Sequence, residues 1–266
     1  MIARRMISVA FTLAAALSAP AGLGAPAQPS SLAAARIGSD APGSAATVAP
    51  DTPASVPDCG ELTCNVTGSA FVVAWFGEEP AVAALRIGRT PDSLGEDALC
   101  DDRDDTPGCG LEARAHYVTV TGLEPETTYY VQRFENGRPA GPLCRVKTGA
   151  VLRPRLPQTR YGRVVQDDGV TPAADTFVRY EIRGPRGRSA ALCDLVRAED
   201  EGYWVLDRGG VRTADHAAYY TPRPDDVEVV AASAGAAGLR TRQSRLAEAN
   251  PLPDIVVPRT PPGSER

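Results

Sequence analysis

"VTVTGLEPETTYYVQ", residues 118–132, is the stretch that decides the fold class of this chain. Polar and apolar side chains alternate over residues 117–122, with Val118 and Val120 on the apolar side. Because successive side chains of a β-strand point to opposite faces, this alternation predicts a half-buried strand. Pro125 then fixes the backbone φ angle for a turn, and a second strand-like run follows. The stretch therefore predicts strand, turn and strand.

Similar runs recur along the rest of the chain. They lie at residues 69–77, 82–90 and 113–123 in the first half, and at residues 162–165, 176–182 and 190–198 in the second. Asn136-Gly137 predicts the type I′ turn of a β-hairpin. The 25 glycines and 24 prolines favour a turn-rich chain, and no long stretch has a helical period. Since strands need a second layer over their apolar face, we expect an all-β protein of two β-sandwich domains.

Residues 59–149 resemble a fibronectin type III domain. The resemblance rests on Leu123, Pro125 and Tyr129, which match the corner between two strands of that family, and on Trp75, which matches its core tryptophan. It implies that Tyr129 anchors the corner through its hydroxyl and that Leu123 packs on the core. The acidic insertion "GEDALCDDRDDTPGCG" (95–110) departs from the family pattern.

Residues 161–258 resemble a carboxypeptidase regulatory-like domain, which has a transthyretin-like sandwich fold. The matching residues are Gly162, Val164, Gly169, Pro172, Val178, Gly202 and Trp204. Ala198 stands where that family often has threonine. The resemblance implies that Trp204 and Leu206 point into the core, so that Tyr203 points outward. Residues 150–160 then form a linker between the two domains.

The amino terminus has the features of a bacterial secretory signal peptide, residues 1–27. Arg4 and Arg5 precede the 12-residue apolar run Met6–Leu17, and small residues place the cleavage site at Ala21 or Ala27. This run is too short to span a bilayer, which takes about 20 residues. We expect a disordered Ala/Pro/Ser-rich linker over 28–58 and a disordered tail over 259–266. The protein is therefore predicted to be exported, to the periplasm or the medium.

Six cysteines fit an exported protein, in which disulfides persist. They are Cys59, Cys64, Cys100, Cys109, Cys144 and Cys193. Six cysteines allow 15 pairings, and close spacing favours Cys100 with Cys109. A Cys59–Cys64 pair is possible, which would leave Cys144 and Cys193 to pair between domains or to stay free. No cysteine or histidine spacing predicts a metal site.

The acidic insertion offers one candidate cation site. Its carboxylates Asp101, Asp102, Asp104 and Asp105 are oxygen ligands of the kind that calcium takes, but their spacing matches no EF-hand. We expect a solvated acidic loop and no cofactor, with calcium as the alternative. A net charge of −5 without a basic block argues against a nucleic-acid partner.

Three tyrosines are candidate carbohydrate contacts. Tyr203, Tyr219 and Tyr220 would stack on the apolar face of a sugar if they are exposed; the alternative is cross-strand packing. Asn65-Val66-Thr67 matches a glycosylation sequon, which we expect to be idle in a bacterial protein. No G-x-S-x-G, H-E-x-x-H or phosphate-binding loop occurs, so we expect no catalytic residues and no enzyme activity.

These features together predict a non-enzymatic binding or structural protein of the bacterial cell envelope. Its partner would be an envelope protein or a polysaccharide, with no nucleic acid and no membrane span after signal cleavage. Two alternatives are a carbohydrate-binding module and an accessory subunit of a separately encoded hydrolase.

Overall fold

The computed structural model describes residues 56–235 and 238–259. Within them the regular structure consists of fifteen β-strands and three short 3-10 turns, which confirms the all-β prediction. The predicted signal peptide lies outside the described residues, as do linker residues 28–55 and tail residues 260–266. No helix in the described part of the chain is long and apolar enough to cross a membrane.

The amino-terminal half of the described chain forms seven strands around one core. They are β1 (Thr63–Cys64), β2 (Phe71–Gly88), β3 (Leu99–Cys100), β4 (Glu112–Val120), β5 (Thr128–Glu135), β6 (Arg138–Pro139) and β7 (Cys144–Lys147). A 3-10 turn, Gly60–Leu62, precedes β1. We call this part the first sandwich.

The strands of the first sandwich form two sheets, and strand β2 takes part in both. Its first part pairs with β1 and β4, and its second part pairs with β3 and β5. The register against β4 shifts between Phe76 and Ala81, which is a β-bulge. The runs 69–77 and 82–90, which the sequence predicts as separate strands, are therefore one strand that passes from sheet to sheet, because the backbone stays extended through the bulge.

The core of the first sandwich contains the residues that its sequence patterns place there. Phe71, Val73 and Trp75 alternate along β2 and are at most 2% exposed. The Trp75 indole donates to Glu135 at 2.9 Å. The hydroxyl of Tyr129 accepts a hydrogen bond from the backbone N–H of Glu124 at 2.9 Å, so the predicted corner anchor is confirmed.

The predicted Asn136-Gly137 hairpin is also confirmed. Both residues have positive φ, at 49° and 74°, as a type I′ turn requires. The turn pairs Glu135 of β5 with Arg138 of β6. The local signal in the sequence was sufficient here because the turn depends on these two residues alone.

The second half of the described chain forms eight strands in two sheets, which we call the second sandwich. The strands are β8 (Thr159–Val165), β9 (Thr176–Gly184), β10 (Gly187–Arg188), β11 (Leu192–Val196), β12 (Tyr203–Asp207), β13 (Val227–Ser233), β14 (Leu239–Arg245) and β15 (Ile255–Val256). One sheet has the order β10-β9-β13-β14, with β11 also on β9; the other has the order β12-β8-β15. Trp204, Tyr180 and Ile182 lie between them, each at most 1% exposed.

A short 3-10 turn, Ala198–Asp200, leads into strand β12. A turn ends at Gly202, whose φ is 86° and whose absent Cβ would lie 2.6 Å from the Val164 carbonyl oxygen, so glycine is required there. Trp204 and Leu206 are buried, whereas Tyr203 is 42% exposed. The predicted facing of β12 is therefore confirmed.

A buried carboxylate connects the two sheets of the second sandwich. Glu228 on β13 is fully buried and accepts hydrogen bonds from Arg160 on β8, from Arg208 and from the Tyr180 hydroxyl. Burial raises the pKa of Tyr180. Because the charge of Glu228 is matched by two guanidinium groups, it fixes the position of one sheet on the other.

The predicted pairing of Cys59 with Cys64 is wrong. The disulfides join Cys59 to Cys144, Cys64 to Cys193, and Cys100 to Cys109. Cys59 and Cys144 both lie in the core of the first sandwich, whereas Cys64, beyond the 3-10 turn, lies against β11. The bond between the two sandwiches is thus Cys64–Cys193.

Candidate functional site

The two sandwiches pack face to face across a shared apolar cluster. The outward faces of β2 and β4 meet those of β9 and β11, and the rings of Phe76 and Phe177 lie 4.5 Å apart between centroids. The eight buried members are Cys64, Val72, Ala115, Tyr117, Phe177, Ala191, Cys193 and Leu195. Burial of this surface and the Cys64–Cys193 bond hold the two sandwiches together.

Polar contacts at the disulfide add to this connection. Asn65, in the left-handed region at φ 52°, donates to the Cys193 carbonyl at 2.9 Å and to the Tyr117 hydroxyl at 3.1 Å. The backbone N–H of Cys193 donates to the Asn65 side-chain oxygen at 3.0 Å. The amide of Asn65 is therefore fully engaged within the protein.

A groove of about 350 Å³ lies between the sandwiches beside this disulfide. We call it the inter-sandwich groove. Its polar and charged lining residues are Asn65, Thr67, Tyr117, Asp194, Asp207 and Arg212. Val66, Ala191 and Val205 supply apolar wall. Cavities of this kind between two folded units are common ligand sites.

Arg212 is the most unusual residue of the groove. It is only 7% exposed, yet no carboxylate lies within 4.0 Å of it in the described part of the chain. Its Nη1 donates to the carbonyl oxygens of Ala150 at 2.8 Å and His216 at 3.1 Å. Burial lowers the pKa of Arg212, and the Tyr219 ring, 5.9 Å from the guanidinium carbon, opposes this. Gly149 makes room for it, since a Cβ there would lie 2.7 Å from Nη1.

The groove also has two carboxylates. Asp207 uses Oδ1 to accept the backbone N–H groups of Gln158 and Gly209, at 2.7 and 2.9 Å. Asp194 accepts the N–H groups of Leu195 and Val205. Burial raises the pKa of Asp194 against the opposing effect of these hydrogen bonds.

In the acidic loop, most of the carboxylate oxygens accept hydrogen bonds from other groups of the protein. Asp101 is buried and accepts from the Arg103 side chain and from the backbone N–H of Tyr117. Burial alone would raise the pKa of Asp101, but these hydrogen bonds hold it below its usual value. Asp101 therefore anchors the loop to β4.

The neighbouring carboxylates have similar roles. Asp102 accepts from the backbone N–H of Thr119 at 2.8 Å. The backbone N–H groups of Leu111, Gly110 and Thr106 lower the pKa of Asp104 to about 2, and Asp105 is exposed. Within the described residues no group of three or more His, Cys, Asp or Glu is placed to hold a metal ion. Calcium binding by this loop stays a prediction.

The three candidate sugar-binding tyrosines have different surroundings. Tyr203 is exposed and lies opposite Arg163 on β8. Tyr219 stacks under the Arg155 guanidinium at 4.4 Å and donates to the Arg153 carbonyl at 3.0 Å. Tyr220 packs against the second core and donates to Asp226 at 3.1 Å. Tyr203 is thus the one exposed residue of the three, whereas Tyr219 and Tyr220 are partly buried.

Comparisons with known proteins add little to this picture. No protein-family model matches the chain, and no curated protein matches it. Several solved structures are similar to it. One is described as the structure of PhoD, at 11% identity and a TM-score of 0.26, covering 40% of this chain and 21% of that one. Another is the crystal structure of the chicken CNTN1 FN1–FN3 domains, at 12% identity and a TM-score of 0.25, covering 74% of this chain and 64% of that one.

The chain thus spans about a fifth of the first structure and just under two thirds of the second. At these TM-scores neither likeness identifies a fold or a function. The fold described above rests instead on the strands and contacts of this chain.

Proposed function

We propose that this chain is an exported, non-enzymatic binding protein of the bacterial cell envelope. The observation that carries the proposal is the joining of two sandwiches by a shared apolar cluster and the Cys64–Cys193 disulfide. A preorganised pair of sandwiches suits recognition, because little conformational freedom is lost when a partner binds. Three disulfides fit an oxidising compartment outside the cytoplasm.

The surroundings of the two histidines support a function without chemistry. His116 is fully buried, and neither ring nitrogen has a hydrogen-bond partner. The Nδ1 atom of His216 is likewise buried without a partner. A nucleophile–base pair needs a histidine bonded to a hydroxyl or thiol and oriented by a third group, and neither histidine is held in that way.

The identity of the two domains is part of the proposal. We assign residues 59–149 to a fibronectin type III-like sandwich and residues 161–258 to a carboxypeptidase regulatory-like one. The two separate cores support these bounds, since one is built from residues 59–146 and the other from residues 164–257.

Retention of a partner by the immobilised mature chain tests the proposal. The chain is incubated with a detergent-free envelope fraction of its own bacterium, and the retained species is compared by mass before and after binding. We expect a partner that is retained in saturable amounts and released with its mass unchanged. A partner released cleaved or otherwise modified would show that the protein does chemistry, and an absence of saturable retention would contradict a binding role.

A carbohydrate-binding function is the second candidate, favoured by the exposure of Tyr203. Aromatic side chains that are open to solvent can stack on sugar rings, and this one is 42% exposed on the outer face of β12. A glycan array should retain the wild-type chain, and Tyr203→Ala should lower that retention at least tenfold. Tyr203→Phe keeps the aromatic ring and should be retained like the wild type. Equal retention of the alanine variant would remove this tyrosine as the sugar contact.

A further inference from the structure

The inter-sandwich groove contains opposite charges that do not pair with each other. Arg212 lines it without a carboxylate within 4.0 Å, and Asp207 lines it without an ion pair in the described part of the chain. Two groups of opposite charge in one cavity of about 350 Å³, each without a partner of the other sign, are both available to a bound molecule.

We propose that the groove binds a small zwitterion of the amino-acid or short-peptide type, with its carboxylate on Arg212 and its ammonium on Asp207. This deepens the proposed function, on which it rests, by naming a ligand class for a binding protein.

The guanidinium supports the carboxylate end. A buried cation without a counter-charge is costly, and arginine binds carboxylates through two parallel N–H groups. The Nη1 group of Arg212 is held by two carbonyl oxygens, whereas Nε and Nη2 form no hydrogen bond to residues 56–235 or 238–259. These two groups are the pair that a carboxylate would engage.

The free carboxylate oxygen supports the ammonium end. Asp207 uses only Oδ1 for its two backbone hydrogen bonds, so Oδ2 has no hydrogen-bond partner among the described residues. Asp207 is exposed and lies on the same wall as Val205, at the outer face of β12. Between the two charged ends Val66, Ala191 and Val205 offer an apolar surface for the carbon skeleton of the ligand.

Ligands of one charge fit the groove less well. A simple anion would meet Arg212 but be repelled by Asp207 and Asp194, and a simple cation would meet these carboxylates but be repelled by Arg212. The volume of the groove lies at the lower end of the range for small-molecule sites, which suits an amino acid or a dipeptide.

Calorimetric titration of the full chain with matched probes tests the proposal. The probes are alanine and alanyl-alanine as zwitterions, with propionate and ethylamine as single-charge controls. We expect one of the zwitterions to bind and both single-charge probes to bind at least tenfold more weakly. The two zwitterion arms distinguish a free amino acid from a peptide as the source of the charges.

Two variants locate the binding in the groove. Arg212→Gln should abolish zwitterion binding. Asp207→Asn keeps an oxygen for both backbone bonds and removes only the charge, so its melting curve should match the wild type while its zwitterion affinity falls at least tenfold. Arg186→Gln, an exposed arginine outside the groove, is the matched control and should leave the affinity unchanged.

Several outcomes would overturn the proposal. The first is that neither zwitterion binds at concentrations up to ~10 mM, which is far above the Kd of a typical specific site. The second is that propionate binds as tightly as alanine. The third is that the folded Asp207→Asn variant keeps the full affinity. None of these would disturb the wider proposal, because retention of an envelope partner is measured independently.

Discussion

Removal of the Cys64–Cys193 disulfide should lower the free energy of unfolding by about 4 kcal/mol. The two cysteines are 129 residues apart in sequence. With Cys59–Cys144 intact, however, the loop that the bond closes is shorter, about 54 residues, from the 5 between Cys59 and Cys64 and the 49 between Cys144 and Cys193. For a loop of this length the chain-entropy relation gives about 14 cal/mol/K, or ~4.2 kcal/mol at room temperature.

Denaturant unfolding of the C64S/C193S variant, read by tryptophan fluorescence, measures this loss. C100S/C109S is the matched control, because its bond closes a loop with a separation of 9 residues within the first sandwich and is worth about 2.6 kcal/mol by the same relation. The variant without the inter-sandwich bond should therefore be the less stable of the two by about 1.6 kcal/mol. If C64S/C193S unfolds at the same denaturant concentration as C100S/C109S, or at a higher one, the length of the closed loop does not set the stability that each disulfide contributes.

Three further predictions concern single side chains. Tyr129→Phe removes the hydrogen bond from Glu124 and should cost about 1 kcal/mol of unfolding free energy, whereas Tyr130→Phe, at a neighbouring tyrosine, should cost less. Glu228→Gln leaves the buried Arg160 and the half-buried Arg208 without a counter-charge and should cost about 3–5 kcal/mol in the same unfolding assay; a loss under ~1 kcal/mol would argue against a buried ion pair there. Burial lowers the pKa of His116 in the folded state, against the opposing effects of Asp101 and Glu135, so the unfolded chain takes up the proton first. The wild type should therefore lose stability as the pH falls below about 6.5, and His116→Leu should lose less over the same interval; parallel pH profiles would contradict this.

The sequence predicted those features that depend on near neighbours. The alternation around Val118 and Val120 identified a strand, and Asn136-Gly137 identified a hairpin, because each signal lies within a few residues. The resemblance placed Trp204 and Leu206 inward, and the alternation of side chains along a strand then placed Tyr203 outward. The corner hydrogen bond of Tyr129 was implied by a motif of seven residues.

The sequence did not predict the features that depend on distant partners. Cys64 and Cys193 meet across 129 residues, and no local pattern in the sequence indicates that Cys64 pairs with Cys193 and not with the nearby Cys59. Tyr117 belongs to the polar side of an alternating strand, a side that faces water in a single sandwich but is covered here by a second one.

The groove residues had no local signal at all. Asn65 was noticed only as part of a sequon, although its side chain joins Cys193 and Tyr117. Arg212 follows a glycine pair in an irregular segment, and its buried position is created by the carbonyl groups of Ala150 and His216. Only the folded chain brings these partners together.

The two sandwiches form one body with the inter-sandwich groove between them. The chain has two tryptophans, and each core contains one, Trp75 in the first and Trp204 in the second. The most direct measurement is denaturant unfolding of the Trp204→Phe and Trp75→Phe variants, each of which reports on one sandwich. After allowance for the stability of each variant, we expect both reporters to unfold in one coincident transition. Two separate transitions in the disulfide-intact chain would show that the sandwiches unfold independently and do not form one body.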